Sequence, residues 1–110
     1  MWSLEGRAAV CLAAGKGLGR GIAREMAAAG AQTLLVSRNE EHLRAAAAGI
    51  AADLEDTGAY PGVAKWRRPQ ILAADLLGED AAERIMRHAG EAFGGIDILL
   101  NNIGGPPSGT

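Results

Sequence analysis

Apolar residues in this chain alternate between short unbroken runs and longer stretches spaced every three or four positions. Arg7 to Ala13 (RAAVCLA) is a run closed by glycines, the pattern of a strand buried on both faces of a parallel sheet. Beyond the glycine turn, Leu18, Ile22 and Met26 recur every fourth residue with Ala23 and Ala27 beside them, which predicts a helix that Gly30 stops. Gln32 to Ser37 (QTLLVS) repeats the buried-strand pattern. Asn39 then stands as N-cap of a second helix, with Glu40 and Glu41 in its first turn and Leu43, Ala47, Ile50 and Leu54 as its buried face.

Gly58, Pro61 and Gly62 mark a loop, and Trp66 to Pro69 lead into a short third strand, Gln70 to Ala74. From about Glu79, the stripe Ala82, Ile85, Met86, Ala89 and Phe93 predicts a third helix ended by Gly94 and Gly95. A fourth strand, Ile96 to Leu100, reads as buried on both faces and runs into Asn101, Asn102 and a Gly-Pro-rich tail. Strands alternating with helices predict an α/β fold with right-handed crossovers, a Rossmann-type doubly wound parallel sheet in the order 3-2-1-4. A complete sheet of that order continues past its fourth strand. Residues 1–110 are therefore expected to be a truncated half-domain lacking the C-terminal half of its sheet, with the fourth strand left as an edge and the isolated chain prone to aggregate or dimerise.

Composition narrows the setting. The chain is 48% hydrophobic and 22% charged, as in a globular protein. Its 13 acidic and 11 basic residues give a net charge of −2, which offers no basis for a nucleic-acid or anionic-membrane partner. Lone Cys11, inside an apolar run, reads as a buried small hydrophobe in a reducing compartment. With no spanning segment and no basic leader, the expected location is the cytoplasm.

The glycines from Gly15 to Gly21 stand where a strand turns into a helix. There, unpaired N–H groups and the positive end of the helix dipole favour a pyrophosphate. The fingerprint G-x-G-x-x-G is met at Gly15 and Gly17, but its third position is Arg20. The triphosphate loop fails because Lys16 precedes Gly17 instead of Ser or Thr. An NAD site places a carboxylate at the end of the second strand to bind the ribose 2′-hydroxyl. Here that position is Ser37, followed by Arg38, whose guanidinium suits a 2′-phosphate, and Lys16 adds a second cation.

Three stretches in order, Leu12 to Gly19 (LAAGKGLG), Asp75-Leu76 and Asn101-Asn102-Ile103-Gly104, resemble the motifs of the short-chain dehydrogenase/reductase family, T-G-x-x-x-G-x-G, Asp-aliphatic and N-N-A-G. The chain is similar to the 3-oxoacyl-acyl-carrier-protein reductases of that family, and the resemblance runs from Arg7 to the last residues. Leu12, Ala13 and Ile103 depart from the family's Thr, Gly and Ala, and Ala13 adds a methyl where backbone meets cofactor. The resemblance implies an NADP(H) site formed by Ala13, Gly15, Lys16, Gly17, Leu18 and Gly19 at the turn, by Ser37 and Arg38, by Asp75 and Leu76 at the adenine, and by Asn101 and Ile103 after the fourth strand. Asn101 would contact the cofactor ribose, and Asn102 would tie adjacent strands together.

The family's proton transfer uses Ser, Tyr and Lys, the last two as Y-x-x-x-K on a later helix. Tyr60 precedes Pro61-Gly62 in a loop and Lys65 is one residue too far, so this pair does not qualify, and Ser108 has no partner. His42 and His88 read as solvated helix residues without metal-ligand company, and Trp66 with Arg67 and Arg68 reads as a loop covering the sheet edge. The resulting expectation is the cofactor-binding half of an NADPH-dependent carbonyl or alcohol oxidoreductase, inactive by itself and homo-oligomeric when complete. The alternative is a non-catalytic dinucleotide-binding or sensing module.

Overall fold

The computed structural model describes residues 3–13 and 17–101, apart from the side chain of Leu18. Strand β1 (Ala8–Leu12) leads through the glycine turn into α1 (Gly17–Ala28). There follow β2 (Gln32–Ser37), α2 (Glu40–Thr57), β3 (Gln70–Ala73), α3 (Ala81–Phe93) and β4 (Ile98–Asn101). All four strands are parallel, in the order β3-β2-β1-β4. The alternation read from the sequence therefore folds as the doubly wound sheet it predicts.

Two apolar clusters hold the helices to opposite faces of the sheet. Cys11 and Leu35 point to one face, where they meet Ala23, Ala27 and Ala28 of α1 and Leu43, Ala46, Ile50 and Leu54 of α2. Val10, Leu34 and Val36 point to the other and meet Ile85 and Ala89 of α3. Adjacent residues of β1 and β2 thus serve opposite layers, and this is why Ala8–Cys11 of β1 and Leu34–Val36 of β2 are apolar without a break, with Thr33 the one buried polar residue among those described. On α1 the sheet contact is carried by alanines, Ala23 and Ala27 being fully buried, while Ile22 and Met26 of the predicted stripe are only half-buried. Small side chains let the helix approach the sheet closely, so the larger residues sit on its flanks.

Helix ends follow the local signals. The Asn39 side chain accepts the His42 N–H at 3.0 Å, completing the predicted N-cap. After α1, Gly30 N–H donates to Ala27 and Ala31 N–H to Met26, the paired bonds of a Schellman ending, with Gly30 at φ +99°. Cys11 is buried as expected, and burial pushes its thiol up to about 11. Trp66 packs half-buried against the α1/α2 cluster, in keeping with a loop that covers the sheet edge.

Three readings need correction. Helix α3 begins at Ala81, and its buried line is Ala81, Ile85 and Ala89. Ala82 is exposed and Met86 is 60% exposed, because α3 packs along one narrow stripe and a four-residue period excludes their side of the helix. Strand β4 starts two residues later than Ile96 and alternates half-buried with exposed positions, with Leu99 58% exposed at the sheet edge. Strand β3 ends at Ala73, one residue before the predicted Ala74. Among the described residues, no helix is long and apolar enough to cross a membrane.

Asp97 supplies a tie that the apolar pattern hides. Its carboxylate accepts the Ala8 N–H at 2.8 Å, and its own N–H donates to the Ala8 carbonyl at 2.9 Å, locking the starts of β1 and β4 together.

Candidate cofactor site

The C-terminal ends of all four strands lie side by side. Leu12 is in register with Val36 on one side and Asn101 on the other, and Ser37 is in register with Ala73. Each strand then releases a candidate residue at the same rim: Ala13 after β1, Arg38 after β2, Asp75 just beyond β3, and Asn101 at the end of β4. In an open α/β sheet, this rim is where a ligand finds loops from several strands and the start of a helix. Leu12 and Asn101, 89 positions apart in sequence, are brought to one strip by parallel pairing.

At the first turn, Ala13 adopts φ +59° while its N–H donates to the Val36 carbonyl at 2.6 Å. It is the one non-glycine residue with positive φ among those described. This left-handed turn gives a physical reason for glycine at the matching position of the family motif: an L-residue there costs roughly 1–2 kcal/mol. Gly17, at φ +66°, opens α1, and a side-chain carbon added there would meet nothing within 4 Å. Gly17 begins the turn of α1 whose first N–H groups have no partner within the helix. Gly19 follows, buried, in the first turn of the helix. Gly15, Lys16, Ile103 and Asn102 lie outside the described residues.

At the second strand, Ser37 is half-buried and its carbonyl accepts the Ala74 N–H at 2.8 Å, joining the ends of β2 and β3. Arg38 is exposed and makes no ion pair among the described residues. Its guanidinium keeps its full donor set at the rim. At the third strand, Asp75 Oδ1 accepts the Leu77 N–H at 3.0 Å and the Asp75 carbonyl accepts the Gly78 N–H at 2.8 Å. This compact turn fixes the exposed Asp75 beside half-buried Leu76, which packs on the β-sheet face covered by α3.

Two residues that the sequence reading passed over shape that turn. Arg84 of α3 donates to the Ala73 carbonyl at 3.0 Å, bracing the last residue of β3. Gly78 must remain small because an added side-chain carbon would lie 3.0 Å from the Asp75 carbonyl oxygen. Gly78 had a visible signal, a glycine closing a four-residue turn; Arg84 had none, since its partner lies across a tertiary contact. His88, expected to be solvated, is half-buried and pairs through Nε2 with Gln70 Oε1 at 3.0 Å. Tyr60 sits 39% exposed in the loop after α2, and its N–H donates to the Ala28 carbonyl at 2.9 Å, at the end of α1 opposite the glycine turn.

A nicotinamide dinucleotide fits these residues on their chemistry: an open helix start for a pyrophosphate, a cation after β2, a carboxylate in a rigid turn after β3 and an amide after β4. The fold and the rim together define a Rossmann-type α/β protein. Comparison with known proteins is more specific. The short chain dehydrogenase family model matches residues 7–110, and the chain belongs to the short-chain dehydrogenase/reductase family. It is 36% identical over its whole length to an uncharacterised oxidoreductase of Mycobacterium tuberculosis, covering 37% of that protein. It is 39% identical over 101 residues to 1,6-dihydroxycyclohexa-2,4-diene-1-carboxylate dehydrogenase of Pseudomonas putida, covering 92% of this chain and 32% of that one. The chain thus spans about a third of the length of these relatives.

Among solved structures, a metagenomic short-chain oxidoreductase in complex with NADP superposes with a TM-score of 0.72 at 32% identity, over 90% of this chain and 39% of that one. L-Sorbose reductase of Gluconobacter frateurii, complexed with NADPH and L-sorbose, gives 0.75 at 29% identity, over 93% and 35%. Relatives named for a cyclohexadiene carboxylate and for sorbose show that the likeness identifies the family and leaves the resemblance to 3-oxoacyl-acyl-carrier-protein reductases unspecific.

Proposed function

We propose that this chain is the NADP(H)-binding part of a short-chain oxidoreductase that interconverts a carbonyl and an alcohol on a small molecule. The observation that carries the reading is Arg38, exposed and without an ion-pair partner among the described residues, directly after Ser37, which stands at the end of β2 where an NAD-specific site holds a carboxylate. Lys16 in the sequence of the first turn adds a second cation to the same reading. That solved relatives carry NADP or NADPH supports it.

In this reading Ala13 to Gly19 would hold the pyrophosphate, Ser37 and Arg38 the 2′-phosphate, Asp75 with Leu76 the adenine, and Asn101 with Ile103 the nicotinamide ribose. The bound cofactor supplies the hydride. The Ser and Y-x-x-x-K set that the family resemblance implies for proton transfer has no counterpart in these 110 residues, so the polypeptide by itself is read as a binding unit without turnover.

Arg38→Asp in the full-length protein tests the cofactor preference. A guanidinium-phosphate pair contributes about 1.5–3 kcal/mol, which is roughly a 10- to 100-fold loss of NADPH affinity when removed. NADH affinity should hold or improve because the new carboxylate can accept from the 2′-hydroxyl. Titration of the two cofactors by fluorescence gives the ratio, and an unchanged NADPH-to-NADH preference would remove Arg38 from the site.

A further inference from the structure

Strand β3 is the outer edge of the sheet, bordered by α2 on one face and α3 on the other. A hollow of about 520 Å³ opens there, lined by Arg44, Ala47 and Ala48 of α2, by residues 68–71 and by His88 of α3. It adjoins a hollow of about 600 Å³ formed by residues 64–68, which shares Arg68 and adds Lys65 and Arg67. Among the described residues no Asp or Glu lines either one, in a chain whose acidic residues outnumber its basic ones by 13 to 11. Glu91 enters only beyond His88, in smaller hollows.

The lining is of two kinds. Ala47 and Pro69 are buried and Ile71 is half-buried, giving an apolar floor. Arg44, Arg68, Gln70 and His88 supply polar groups from three separate segments, α2, the approach to β3 and α3. Arg68 makes no ion pair among the described residues. Arg44 pairs with Glu40 at 2.7 Å in an exposed i,i+4 contact, an arrangement weak enough to be exchanged for a ligand. Gln70 uses its oxygen on His88, at 3.0 Å, which leaves its NH2 group as a donor.

We propose that this hollow is a second binding site, for a phosphate monoester carrying an apolar body. The phosphate is held by Arg44 and Arg68, and the body rests on Ala47, Pro69 and Ile71. One guanidinium satisfies a planar carboxylate by itself. Two guanidiniums, from α2 and from the approach to β3, offer more donors than a planar carboxylate takes up and suit a tetrahedral group with three acceptor oxygens. The volume suits a small ligand. The site is distinct from the cofactor rim: Gln70 and Ile71 are in register with Leu34 and Leu35, short of Ser37, where β2 reaches that rim.

The test uses the full-length protein saturated with NADPH and titrated with phenyl phosphate, read by NMR at the Ile71 methyls and the His88 ring. Saturable shifts at both residues are expected, with inorganic phosphate binding at least several-fold more weakly and phenol causing no shift. Arg44→Gln with Arg68→Gln should weaken phenyl phosphate at least 10-fold. Ala48→Glu, which removes no contact and places a carboxylate on the exposed lip, should weaken it comparably and covers the case in which the double variant fails to fold. Absence of saturable shifts, unchanged affinity in Ala48→Glu, or benzoate binding as tightly as phenyl phosphate would each overturn the proposal. Markedly tighter phenyl phosphate binding when the titration is repeated without NADPH would also overturn it, by assigning the ligand to the cofactor site.

Discussion

Replacing Gly30 with alanine should be among the most damaging single-methyl additions in the described fold, for two separable reasons. Gly30 is buried at φ +99°, a backbone conformation that costs an L-residue roughly 1–2 kcal/mol. Its added carbon would also lie 2.5 Å from Glu5 Cγ and 3.0 Å from Val63 Cγ1. Glu5 cannot swing away cheaply, since its carboxylate accepts the Ala64 N–H at 3.2 Å and the Ser3 hydroxyl at 3.2 Å. Overpacking of this kind costs about 1–3 kcal/mol, for a total of about 2–5 kcal/mol.

Gly94→Ala isolates the first term, because Gly94 closes α3 at φ +82° with nothing within 4 Å of the added carbon. Its cost should stay at about 1–2 kcal/mol. Gly90→Ala gives the opposite sign: the site is helical, exposed and open, so alanine should stabilise by about 0.5–1 kcal/mol. Urea denaturation followed by circular dichroism orders the three midpoints. With m on the order of 1–3 kcal/mol/M, Gly30→Ala should fall by about 1–2 M and clearly below Gly94→Ala. Equal midpoints for those two variants would refute the packing argument. A fall for Gly90→Ala would refute the account of that helix.

Ala13→Gly should raise stability by about 1 kcal/mol, since it releases a left-handed residue from its penalty, and NADPH affinity should not fall; a lower denaturation midpoint would contradict the strain. Cys11 bears on alkaline stability. Its thiol is pushed up to about 11 by burial, so the unfolded chain, with its ordinary pKa near 9, loses the proton first as pH rises. Stability from this group is full below pH 9 and falls between about 9 and 11, by about 2–3 kcal/mol at the upper end. Cys11→Val should flatten that part of the pH profile relative to the parent, and an identical slope in both would show that the thiol is not the group responsible. In the same buried position, Cys11 should resist alkylation at pH 8 until urea unfolds the chain.

How far residue patterns reach is clear from particular elements. Apolar runs located β1 and β2, because strands buried on both faces are mostly apolar even though β2 buries Thr33, and Asn39 announced its own cap, because that bond spans three residues. The same logic failed for α3. Periodicity admits Ala82 and Met86 to an apolar stripe, but only docking on the sheet decides which narrow line, Ala81, Ile85 and Ala89, is covered. Leu99 belongs to an apolar run and still lies exposed, because burial of a strand depends on its neighbours in the sheet.

The candidate site divides in the same way. Sequence by itself determined the order of the elements, the glycine junction after β1, the absence of a carboxylate after β2 and three family motifs in succession. Each is local or a matter of residue identity, carried by a few adjacent positions. Tertiary structure alone decided that Ala13, Arg38, Asp75 and Asn101 share one rim, since parallel register sets those neighbours. It also decided that Ala13 turns left-handed, that Arg84 braces the end of β3, and that Arg44, Arg68 and His88 line one hollow. These depend on groups far apart in the chain meeting in space, and no spacing along the chain encodes the meeting.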